Sequence, residues 1–113
     1  MLVIISPAKS LDMDPVDVVA TVPEFQNDAI RLSKTARNLT LTQLKRLMSI
    51  SDNLARLNRD RFKAFADHPR AEMVKPAALA FNGDTYQGLE AKTLDVDDLA
   101  WAQDHLGILS GLY

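Results

Sequence analysis

The chain opens on four consecutive apolar residues, Leu2-Val3-Ile4-Ile5, stopped by Ser6-Pro7. An apolar, β-branched run of this kind predicts a strand buried on both faces. Pro15 and Pro23 fence a loop or short extended segment. From Glu24 the period changes. Phe25, Ala29, Leu32 and Ala36 recur at helical spacing and predict an amphipathic helix to about Asn38, with Arg31, Lys34 and Arg37 on its other face. Thr40 and Gln43 have the spacing of a capping box, so a second helix is expected from about Leu41, carrying Leu44 and Leu47. A third begins at Ser51 or Asp52, buries some combination of Leu54, Leu57, Phe62 and Phe65, and ends before His68-Pro69.

Ala77-Ala78-Leu79-Ala80-Phe81 reads as a second buried strand, after which Asn82-Gly83-Asp84 turns the chain and Gly88 interrupts it. Asp95 and Asp98 mark the start of a fourth helix with Leu99, Ala102 and Leu106. Gly107 is placed to close that helix at positive φ. Ile108-Leu109 opens a third apolar segment before Ser110-Gly111-Leu112-Tyr113. No repeat, low-complexity tract or linker divides the sequence. These elements predict an α/β fold, a mixed sheet with helices packed on it, forming one domain or part of one.

Composition narrows the class. With 113 residues, 47% apolar and 25% charged, the chain is globular rather than disordered. The lack of cysteine removes disulfides, thiolate metal sites and cysteine nucleophiles, and fits a reducing compartment. No apolar run is long enough to span a membrane, and Met1–Ser10 has no basic n-region, so the cytoplasm is the expected location. The net charge of −2 conceals a division. Residues 24–75 hold eleven Lys and Arg against six acids, whereas residues 76–113 hold Lys92 alone against six. A basic middle suits a polyanion; it equally suits well-solvated helices.

The basic middle contains an abrupt break. Leu44-x-x-Leu47-Met48-Ser49-Ile50-Ser51-x-x-Leu54-Ala55 has the form of a helix-hairpin-helix element, extending over about residues 40–66. Such a hairpin leaves amides at the second helix's N-terminus free to meet a phosphate, with the helix dipole assisting. Ile50 would pack between the helices, with Ala55 letting them approach. Ser49, Ile50, Ser51 and Asn53 would face the backbone of double-stranded DNA, while Lys45, Arg46 and Arg56 supply salt-dependent attraction. Serine stands at both positions where glycine is usual, and Ser51 could equally cap the third helix. The alternative is a plain short connection between antiparallel helices.

Three further loops each follow a predicted strand. Ser6 and Lys9, then Asn82, Gly83, Asp84 and Tyr86, then Ser110 and Gly111 could converge on one pocket, and the alternative function is then an enzyme acting on a nucleobase or nucleotide. A Lys near a Ser can act as base and nucleophile, but no oxyanion donor or third member accompanies it. The sequence names no reaction and no catalytic residue. Asp95-Val96-Asp97-Asp98 lacks the later oxygens and the glycine of a calcium loop and suits a helix N-terminus. His68 and His105 have no ligand spacing. Neither a metal nor a cofactor is expected.

Four stretches together resemble the YaaA peroxide-stress protein family: LVIISPAKSLD at residues 2–12, LMSISDNLARLNRDRF at 47–62, LAFNGDTYQGLEA at 79–91 and HLGILSGLY at 105–113. The resemblance covers the whole chain, in the family's order. It implies the N-terminal half of a larger single domain whose C-terminal half is missing here, which leaves an inactive fragment of that domain as a further alternative. It also implies a DNA-binding protein of the bacterial cytoplasm that limits oxidative damage to DNA, with serines in the hairpin as the family's own variant.

Overall fold

Caps written into the sequence set two of the three helices of residues 23–69. In a computed structural model, which describes residues 1–113, α1 spans Gln26–Arg37, α2 Leu41–Met48 and α3 Asp52–Ala64. The Thr40 hydroxyl accepts from the Gln43 amide at 3.2 Å, and Gln43 Oε1 accepts from the Thr40 amide at 2.9 Å, completing the capping box. Ser51 caps α3 by accepting from the Leu54 amide.

These helices, with Leu112–Tyr113, form one of two compact units. Both α1 and α2 pack on α3. Small residues make the close approaches: Ala29 and Ser33 on α1 and Ala55 on α3 are fully buried, and Leu44 on α2 is 1% exposed. The buried Ser33 hydroxyl is satisfied by the Ile30 carbonyl at 2.8 Å. Arg37 Nη2 donates to the Phe65 carbonyl at 2.9 Å and lies 3.7 Å from Asp67, while its Nε is buried without a partner. The predicted apolar stripe is covered only in part. Phe25, Leu32, Leu47, Leu54 and Leu57 remain exposed.

The other unit joins two pieces distant in sequence, Met1–Val22 and Arg70–Gly111. Strand β1, Val3–Ile5, runs parallel to β2, Leu106–Ile108, with Val3 opposite Leu106, Ile4 opposite Gly107 and Ile5 opposite Ile108. Between them come α4 (Ala77–Ala80), α5 (Asp84–Leu89) and α6 (Val96–His105), with single 3-10 turns at Ala71–Met73 and Ala91–Thr93. Leu11 and Phe81 form an antiparallel bridge. It is flanked by Asp12 N–H to the Ala80 carbonyl at 2.7 Å and Asn82 N–H to the Ser10 carbonyl at 3.0 Å. Leu79, Ala80, Tyr86 and Ala91 form the small core.

The mixed α/β class holds, with three corrections. Residues 77–80 are a short helix rather than a strand. Pro76 fixes its entry, and three alanines favour helix more strongly than an apolar run favours strand. The opening run is a strand, but Leu2, Val3 and Ile4 are 62, 49 and 57% exposed, so it is not buried. Gly107 lies inside β2 without positive φ, because pairing with β1 draws the chain out extended directly after His105.

The Leu44→Ala variant should lose about 2–5 kcal/mol, the cost of emptying a closed core site. A urea titration followed by circular dichroism reads the shift; an unchanged midpoint would show that the helical core does not depend on Leu44.

Candidate functional site

The α2–α3 connection is built by two serines in different roles. Ser49 adopts the left-handed conformation, φ 53° and ψ 51°, where glycine is usual. The Ser49 and Ile50 amides both turn back to the Lys45 carbonyl, the latter at 3.2 Å, closing α2. Ser51 then starts α3 in extended geometry, with its hydroxyl on the Leu54 amide. The amides of Ser51, Asp52 and Asn53 are left without an acceptor in the chain, at the positive end of the α3 dipole. Of the two serine roles weighed from sequence, Ser51 takes capping and Ser49 takes the left-handed turn.

Around that terminus the charge is basic but partly committed. Residues 41–64 carry six Lys and Arg against Asp52 and Asp60. Lys45 Nζ bonds Asp52 Oδ1 at 2.8 Å across the hairpin, and Arg59 pairs with Asp60 at 3.2 Å. Hydrogen bonding and attraction from Lys45, with a smaller pull from Arg56, hold the Asp52 carboxyl below the usual carboxylate range. An internal carboxylate thus sits beside the free amides. Arg46 and Arg56 have no ion pair in the structure.

The loops of the Met1–Val22/Arg70–Gly111 unit meet elsewhere. The buried Tyr86 hydroxyl donates to the Ser6 carbonyl, and its ring tilts against Phe81 at 5.3 Å between centroids. Burial pushes the Tyr86 hydroxyl above its ordinary pKa. Gly83 is favoured by close approach, since a Cβ there would lie 3.0 Å from Ala8 Cβ and one of the two would have to shift. An open cleft of about 320 Å³ is lined by Asn82 and Tyr86 together with Phe81, Gln87, Asp12 and Lys92, among others. Lys9, Gly83, Asp84, Ser110 and Gly111 do not line it, and Ser6 reaches it only through Tyr86.

Sequence reasoning missed an ion-pair cluster beside this cleft, of which Asp12 and Lys92 line the wall. Asp12 receives Lys92 Nζ on Oδ2 at 3.2 Å and the Asp14 amide on Oδ1 at 3.0 Å. Lys75 Nζ lies 3.7 Å from Oδ1 and donates to the Asp12 carbonyl at 2.7 Å. The Lys75 side chain is only 2% exposed. The Asp14 amide first, then the Lys92 hydrogen bond, lower the Asp12 pKa; burial opposes them, and attraction from Lys75 and Lys92 adds a lesser pull downward. Partners 63 and 80 residues away leave no local signal. The acidic run at 95–98 is, as read from sequence, a helix start: Asp95 Oδ1 accepts from the Asp98 amide at 2.8 Å.

The family model described as Peroxide stress protein YaaA matches residues 1–113. A UPF0246 protein of Roseobacter denitrificans is 70% identical over 113 residues, one of Ruegeria pomeroyi 67%, and one of Caulobacter vibrioides 56% over 115. Each alignment covers all of this chain and 44% of the relative, so the chain spans less than half their length. That share is consistent with the half-domain expected from the four motifs. No helix is long and apolar enough to cross a membrane.

Asp12 sets an acid limit. A depressed carboxyl pKa contributes stability that is complete above the ordinary value of 3.8 and is lost as pH falls through the lowered folded value. Asp12→Asn should therefore be less stable than wild type at pH 6, and the two melting temperatures should converge as pH falls through the lowered folded value. Parallel pH profiles at every pH would show that the Asp12 ion pairs contribute nothing.

Proposed function

The chain belongs to the YaaA peroxide stress protein family, and on that premise we propose that it binds double-stranded DNA through the α2–α3 hairpin, holding the phosphate backbone without sequence specificity and so helping to limit oxidative damage to DNA. The observation that supports this reading is the pair Ser49 and Ser51. The left-handed first serine and the capping second one leave three unpaired amides at the head of a 13-residue helix. A phosphate oxygen completes such a terminus, and contacts of that type carry no base information. Ser51, Asp52 and Asn53 supply amides, Arg46 and Arg56 supply charge, and Lys45 exchanges Asp52 for phosphate. Ser49 and Ile50 shape the turn rather than donate, since their amides are already used.

The test is fluorescence anisotropy of a labelled duplex with this chain, across a range of salt. Affinity should fall steeply with salt and drop at least about tenfold in Lys45→Glu/Arg46→Glu, given the ionic contacts removed. Salt-insensitive binding, or an unchanged constant in the double variant, removes this surface from consideration.

A second reading is supported by the cleft at Asn82 and Tyr86, where an aromatic wall from Phe81 and amide groups from Asn82 and Gln87 stand together. Those groups suit a nucleobase or nucleotide, stacked on a ring and bonded along its edge. Asn82→Ala should then abolish peroxide protection in cells while DNA affinity and melting temperature stay as in wild type; full complementation by the variant ends this reading.

A further inference from the structure

Strand β1 is largely uncovered, while β2 is partly covered along its length. Successive strand residues point to opposite faces. Val3 and Ile4, adjacent on β1, are both about half exposed, so neither face of the sheet at this strand is closed. Leu2 before them and Leu109 after β2 are exposed as well. Each strand has three residues and one neighbour, which leaves both outer edges open. Parallel strands normally lie in larger sheets with both faces covered, and two short strands alone are marginal in water. Apolar surface gathered around open edges marks a place where more protein belongs.

Two observations identify the occupant. The relatives matched over this whole chain are more than twice its length, so over half of each has no counterpart here. The unit that carries the sheet holds ten Asp and Glu against Lys9, Arg70, Lys75 and Lys92, with Asp95, Asp97, Asp98 and Asp104 on the element leading into β2. Its neighbour should therefore be apolar where it meets the strands and basic around them.

We propose that the β1–β2 sheet is a docking surface for the unmatched portion of the family's full-length chain, which adds strand to an open edge of the sheet and covers the faces carrying Val3 and Ile4. A second copy of this chain would repeat the same acidic unit and set like charges against each other, so self-pairing is disfavoured. The inference does not depend on DNA binding, because β1 and β2 take no part in the hairpin.

The test co-expresses this chain, tagged, with the unmatched portion of the Roseobacter denitrificans relative, untagged. Size exclusion with light scattering should give a one-to-one complex. Val3→Asp and Ile4→Asp should each weaken it at least tenfold while leaving the circular dichroism of the isolated chain unchanged, since both residues are already half exposed. Val19→Asp, at a still more exposed apolar residue outside the strands, should leave the complex intact. The proposal is overturned if no complex forms, if the chain only self-associates, or if all three variants behave alike.

Discussion

The Met1–Val22/Arg70–Gly111 unit depends on keeping one ammonium group out of water. Lys75 is almost wholly buried, and a charge there survives only with partners that replace its hydration. It finds them on a single residue, the carbonyl and carboxylate of Asp12. The same residue bonds Ala80 through its amide and Lys92 through its second carboxylate oxygen. One aspartate therefore fastens the opening segment to three points on the later one. Removing its charge leaves Lys75 buried against a neutral group, which is a harsher change than losing a surface ion pair.

What was legible in the sequence was local. Thr40 with Gln43, Ser51 and Asp95 announce helix starts because a cap and its amide lie within three residues. The α/β class and the break at Ser49–Ser51 were readable for the same reason. The errors arose where a run suits two structures or a distant partner decides. Residues 77–80 form an apolar run that suits strand or helix, and Pro76 with three alanines tips it to helix. Gly107 sits where a helix stop is expected, yet β1 claims it as strand. The cleft was half visible, through Asn82 and Tyr86. Asp12, Lys75 and Lys92 were silent because nothing in their neighbours points across 60 or more residues.

Charge separates the two units as clearly as connectivity does. Residues 23–69 hold nine Lys and Arg against five acids, while the other unit holds four against ten. Near-neutral totals hide such a division. The charge of the helical unit acts locally, within a screening length of about 8 Å at physiological salt. The whole-chain charge says little about it. Within the helical unit the free amides of α3 and the Lys45–Asp52 pair stand together, so attraction and competition occupy the same few residues.

The pairing of β1 with β2 also orders events on the ribosome. The hairpins of residues 23–69 are contiguous and need nothing made later than Pro69, Leu112–Tyr113 aside. Val3 meets its partner only when Leu106 exists. At about 5–20 residues per second, the roughly 40 residues between Pro69 and Ile108 take ~2–8 s to synthesise. For that interval a nascent strand with four apolar residues in a row waits with no partner to pair with. The helical unit has time to form before it, and the exposed N-terminus is the segment a holding chaperone would meet first.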